Sequence, residues 1–187
     1  MSKKKILTVA LILCLIAIMA MGTLAYFTDT DTADNVFTVG NVKIELTETE
    51  WNPDAENVKD TYPGAEIPKN PCVKNIGDNP CFVRVKVTGL DCLGTSNMIT
   101  YKTDGTAGAL GDNWVAHTDG YFYYTEAVAE SGSTTDLFDT ICIPTTVTNG
   151  FDGNYDIQVV AEAVQAQGCP DSSTVAKLAG WFTTCRG

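Results

Sequence analysis

Alternation of apolar and polar positions marks several short stretches of the chain. Val42, Ile44 and Leu46 are separated by Lys43, Glu45 and Thr47, which predicts a half-buried strand. The clearest case is CFVRVKV: Cys81, Val83, Val85 and Val87 share one face, and Phe82, Arg84 and Lys86 share the other. A short extended run at Cys72–Asn75 precedes it, with a turn at Gly77-Asp78-Asn79-Pro80 between them. YFYYTEAVA, from Tyr121 to Ala129, predicts an aromatic strand with two apolar faces. One face is expected to enter the sandwich core, and the other, with Phe122 and Tyr124, is kept as core beneath a neighbouring loop, in preference to a subunit or carbohydrate contact. Further strands are expected near Met98–Tyr101, over Thr134–Ile143 and over Tyr155–Gln167, although the alanines of the last also suit a helix. Trp51–Lys69 reads as a long loop, because Pro53, Pro63 and Pro68 exclude a regular element. Asp171 or Ser172 is placed to cap a short helix over 174–181. Many short strands with turns between them predict an all-β sandwich.

The start of the chain follows a different pattern. Lys3, Lys4 and Lys5 precede an apolar run from Ile6 to Met21, broken only by Thr8, and small residues follow at Thr23 and Ala25. This is the pattern of a secretory signal, with cleavage expected between Ala25 and Tyr26. The run falls short of the ~20 residues that span a bilayer comfortably. A membrane association is therefore expected only through the uncleaved signal. The expected organisation is a signal over 1–25, an arm or donor strand over 26–40, and a sandwich domain over 41–187.

Charge and cysteine content sharpen this reading. The 187 residues carry 12 basic and 23 acidic side chains, a formal net charge of −11. Loss of residues 1–25 removes three lysines and makes the balance more acidic still. Binding to a nucleic-acid backbone, which requires Lys/Arg clusters, is not expected. Cleavage also removes Cys14 and leaves Cys72, Cys81, Cys92, Cys142, Cys169 and Cys185. An even number in an exported chain suggests a disulfide framework, with reduced thiols as the alternative. Spacing does not choose among the pairings.

Catalytic chemistry finds little to work with. A zinc peptidase of the HExxH type needs two histidines one helical turn apart, and this chain has only His117, within NWVAHTDG. The GxSxG nucleophile motif is also absent from the sequence. No catalytic residue, metal ligand or cofactor is assigned. Calcium is the one ion with oxygen-rich turns to consider, at Asp29, Asp31 and Asp34 and at Asp152, Asn154 and Asp156. A solvated acidic face is the preferred reading of both.

The string LAYFTDTDTADNVFTVGNVKIELTE resembles the N-terminal junction of the TasA/camelysin family, SipW-dependent secreted proteins of Gram-positive bacteria. The match runs through Ala25, Tyr26-Phe27, Thr28-Asp29-Thr30, Asn35-Val36-Phe37-Thr38-Val39-Gly40 and the strand Val42–Leu46. Weaker similarity continues in PCFVRVKV, DGYFYY and IQVVAEAVQA. The resemblance implies a SipW-like signal peptidase as processing partner and a jelly-roll-like sandwich. It also implies a fibre subunit of the biofilm matrix, whose freed N-terminal strand adds to a neighbouring copy or a related subunit. Tyr26, Phe27, Val36 and Phe37 would be the apolar anchors of that arm. The six mature cysteines and shorter chain depart from TasA. Camelysin-type members have been labelled metallopeptidases, which is the alternative reading. A monomeric adhesin is the third.

Overall fold

The computed structural model describes residues 41–94, 97–147 and 156–185. The signal, the cleavage point at Ala25 and Tyr26, and the arm with Phe27, Val36 and Phe37 lie outside the described residues, as do Asp152 and Asn154.

Among the described residues, ten strands and two helices follow one another. They are β1 (Ile44–Glu48), α1 (Glu56–Lys59), β2 (Glu66–Pro68), β3 (Pro71–Asn75), β4 (Cys81–Thr88), β5 (Thr100–Thr103), β6 (Thr106–Ala107), β7 (Trp114–Ala116), β8 (Phe122–Tyr124), β9 (Thr140–Cys142), β10 (Gln158–Gln165) and α2 (Val175–Cys185). All strand pairs are antiparallel. One sheet has the order β10-β4-β8-β7, a second β2-β9-β5-β6, and β1 and β3 form a third. The fold is all-β with a C-terminal helix.

The two four-stranded sheets share a core. Val83, Val85, Trp114 and Tyr124 of the first pack with Ile67 and Ile141 of the second and with Val73, Leu137 and Phe138. The Tyr101 ring joins the sheets: it meets Phe122 edge-on at 5.9 Å and stacks on Phe138 at 5.3 Å. The alternation in β4 is realised as read. Cys81, Val83 and Val85 face this core, and Phe82 faces a second one.

That second core lies on the outer face of the first sheet. Phe82, Tyr123 and Val164 meet Leu178 and Phe182 of α2. The helix is amphipathic at the required spacing: Val175, Leu178, Ala179 and Phe182 point to the sheet. Thr174, not Asp171 or Ser172, caps it, accepting the Lys177 N–H at 3.4 Å on its side chain. Asp171 sits one turn earlier, accepting the Ser173 N–H and pairing with Lys177.

Three sequence expectations need correction. Phe122 and Tyr124 pack into the sandwich core, while Tyr123 carries the outer face, covered by α2 and not by a loop. Residues 51–69 contain α1 and β2 despite their prolines. Pro68 ends β2, an edge strand, where a missing N–H leaves no ladder bond unmade. The aromatic strand is only three residues long. It ends at Tyr124, and Val128 returns as an isolated bridge to Cys81.

Candidate functional site

The arm meets the described fold at Asn41. The β1–β3 ladder continues beyond the strands: Ile76 N–H donates to Lys43 O at 2.8 Å, and Asp78 N–H to Asn41 O at 3.2 Å. Gly77 allows this close approach. A Cβ there would fall 2.5 Å from the Asn41 carbonyl oxygen, so any other residue would push the strand away. Asn41–Lys43 is thus held alongside Ile76–Asp78 as an extension of this ladder.

Two long strands border a seam. β1 lies against β10 without a ladder between them. Among the described residues the strand ladders pair β1 with β3 and β10 with β4. Burial differs sharply between the seam and the interior. Ile44, Leu46, Val159, Ala161 and Ala163 face the core yet are only half-buried. Val73, Val83 and Val85, one strand further in, are fully buried.

The outer face of the first sheet carries a polar network that the sequence reading did not single out. Arg84 of β4 is only 7% exposed. Its guanidinium stands 3.9 Å from the Tyr121 ring and 4.6 Å from the Phe182 ring, between the hairpin and the helix. Nε donates to Glu162 at 2.8 Å, and Nη1 to the Tyr123 hydroxyl at 3.0 Å. The Tyr123 hydroxyl in turn donates to Asp119 at 2.8 Å. Asp119 also accepts the Tyr121 N–H, and the His117 Nδ1 lies 3.0 Å from its other oxygen. Gly120, at φ +82°, lets the β7–β8 turn bring His117 and Asp119 to this position.

Burial works to lower the Arg84 pKa, but its bonds to Tyr123 and Glu162 prevail and raise it. Burial works to raise the Asp119 pKa, but donation from Tyr123, Tyr121 and His117 holds it below the ordinary value. Burial, with the Asp119 carboxylate, pushes the Tyr123 phenol up. The network therefore runs from a guanidinium through a neutral phenol to a carboxylate.

The six cysteines stand as free thiols, distributed across the fold. Cys81 is buried, and burial pushes its thiol up to about 11. Cys72 lies on β3 with its thiol 3.2 Å from Thr134 O. Cys142 lies on β9 and Cys92 follows β4. Cys169 packs under α2, and Cys185 is exposed at the end of that helix. A cavity of about 410 Å³ opens beside Asp104, Asp112, Asp136 and Asp139. The Asp104 N–H donates to Asp139 at 2.7 Å there. Among the described residues, no three His, Cys, Asp or Glu side chains gather as a metal-ligating group. Asp156, from the second acidic turn, accepts a bond from the Gln158 side chain at 3.0 Å. Among the described residues, no helix is long and apolar enough to cross a membrane.

Residues 2–86, just under half of the chain, match the model of a family described as camelysin metallo-endopeptidase. Over that stretch the chain is similar to the camelysin family. The match takes in the stretch read as signal and arm, then β1, α1, β2, β3 and most of β4. It ends before His117 and Asp119. No curated protein matches the chain. The camelysin match supports a secreted protein, and the family's description is a hint of peptidase activity.

Proposed function

We propose that the chain is an exported surface or matrix subunit that assembles by adding its N-terminal arm, residues 26–40, as a strand to another copy. Signal cleavage between Ala25 and Tyr26 by a SipW-like peptidase frees the arm and so acts as the trigger. The observation that carries this reading is the eight-residue strand β10, which stands at the end of its sheet's strand order among the described residues. An open edge presents unpaired N–H and C=O groups that a strand from another chain satisfies. A head-to-tail contact whose rotation does not close then gives a filament. The family-matched stretch contains the whole arm, which supports placing the donor there.

Negative-stain electron microscopy tests the proposal. The mature chain starting at Tyr26 is expected to form filaments, and the same chain lacking residues 26–37 to remain as particles. Particles from both would overturn homotypic assembly. The second reading, a secreted metallopeptidase, is favoured by the family description. It requires proteolysis that a chelator abolishes, and a role for His117 requires that His117→Ala abolish it as well.

A further inference from the structure

We propose that Asp104-Gly105, at the tip of the β5–β6 hairpin, is a site of self-modification, where the backbone of the folded chain rearranges from aspartate to isoaspartate. The reaction uses water and no cofactor. The Gly105 nitrogen attacks the Asp104 Cγ, and the amide proton and the carboxyl hydroxyl leave together as water. A succinimide ring remains. Water then adds to one of its two carbonyls. Cleavage of the Cγ–N bond restores aspartate, and cleavage at the backbone carbonyl leaves the chain running through Cβ and Cγ. The net change is an isomerisation, with nothing oxidised or reduced.

The sequence holds three Asp-Gly pairs, Asp104-Gly105, Asp119-Gly120 and Asp152-Gly153, and the last lies outside the described residues. Ring closure needs a free carboxyl group, a free amide on the next residue, and a backbone able to swing one onto the other. Glycine meets the last need best, because it has no side chain to obstruct the approach. Asp104 and Gly105 are both exposed, at φ +50° and +74°, as the central residues of a tight turn between Thr103 and Thr106. The Asp104 N–H donates to Asp139 at 2.7 Å. Among the described residues no bond holds the Asp104 carboxyl group or the Gly105 N–H, the two groups that react. The strand that follows, β6, has two residues, both exposed, at the end of its sheet's order. A tip so lightly held opens locally at little cost.

Asp119-Gly120 has the same two residues and is locked. Its carboxylate accepts the Tyr123 hydroxyl at 2.8 Å and the Tyr121 N–H at 3.1 Å, and His117 Nδ1 lies 3.0 Å away. The Gly120 N–H, the attacking group there, donates to His117 O at 3.2 Å. Tyr123 is fully buried, so moving this carboxylate disturbs the outer core. At Asp104 the rearrangement inserts one carbon into a two-residue turn and leaves the carboxylate on Cα. The register of Lys102 and Thr103 against Ala107 and Thr106 depends on that turn, so β6 loosens from β5. Asp104 also lines the cavity beside Asp112, Asp136 and Asp139, and that wall changes with it.

Peptide mapping of the mature chain after prolonged incubation, with fragmentation that separates isoaspartate from aspartate, tests the proposal. The folded chain is expected to gain isoaspartate at Asp104 at least about tenfold faster than at Asp119. In denaturant the two sites should react at similar rates, because the residue after each aspartate is the same. Asp104→Glu, whose longer side chain closes the ring poorly, should abolish the product at that position and leave Asp119 unchanged. Equal or faster formation at Asp119 in the folded chain would overturn the proposal, as would isoaspartate at Asp104 in the denatured chain alone. A tenfold difference that persists in denaturant would assign it to local sequence and overturn the role of the fold.

Discussion

The two faces of the β10-β4-β8-β7 sheet are built from alternate residues of the same strands, yet they follow different rules. The inner face is apolar throughout: Val83, Val85, Trp114 and Tyr124 are closed in by the second sheet. The outer face buries nearly as completely at its centre, but around a charge. Arg84 sits among Tyr121, Tyr123 and Phe182, donating to Glu162 and to the Tyr123 hydroxyl, which in turn donates to Asp119. A sheet can cover a sheet with side chains alone. A single helix covers only a stripe, and the outer network ties the uncovered hairpin turn to that stripe.

The sharpest way to break this comparison is to cut the helix contact. Phe182 is fully buried, and its ring meets Tyr123 edge-on at 5.7 Å. Phe182→Ala is expected to cost about 3–5 kcal/mol, the range for a truncated core aromatic. Chemical denaturation would measure it. A loss below about 1 kcal/mol would show that α2 is a loose cover and that the outer face is not a second core.

The inner face was legible in the sequence, and the outer one only in part. Cys81–Val87 announces its two faces by alternation alone, because a period of two in a strand assigns sides without knowledge of neighbours. The helix was legible as an element, but its cap and its last turn were not. Thr174 competes with Asp171 and Ser172 as a cap, and only the bonded Lys177 N–H decides between them. β6 and β7 are too short to carry a period. β2 was hidden by Pro68, since a proline argues against a strand unless that strand is known to lie at an edge. The Arg84 network was hidden for a further reason. Its members Arg84, Asp119 and Glu162 are far apart in sequence, and nothing local pairs them. The one signal available was an arginine, Arg84, flanked by Val83 and Val85 in mid-strand.

A smaller perturbation separates charge from packing on the outer face. Arg84→Met keeps most of the volume between the Tyr121 and Phe182 rings but removes the guanidinium. Replacing a buried ionic group by an apolar one of similar size is often far less harmful than truncating it. Arg84→Met is therefore expected to cost about 1–2 kcal/mol, and Arg84→Ala about 1–2 kcal/mol more, from the same denaturation experiment. Equal losses would show that the charge, and not the filled space between the rings, holds the helix to the sheet.

The smallest expected effect concerns the acid end of the network. Asp119 has a folded-state pKa below its ordinary value, because the bonds from Tyr123, Tyr121 and His117 outweigh its burial. A depressed carboxylate stabilises the fold above its unfolded pKa, and that contribution disappears as pH falls through the folded value. Stability should therefore fall as pH drops below about 4, with the β7–β8 turn and the outer face affected first. Asp119→Asn keeps one oxygen to accept from Tyr123 or from the Tyr121 N–H but carries no charge to titrate. It should lower stability at neutral pH by at most about 1 kcal/mol, since the carboxylate is a third exposed and screened by solvent. It should also flatten the acid limb of a melting-temperature profile below about pH 4. An unchanged acid limb in Asp119→Asn would place the acid sensitivity in other carboxylates and reduce the outer network to a neutral hydrogen-bonded contact.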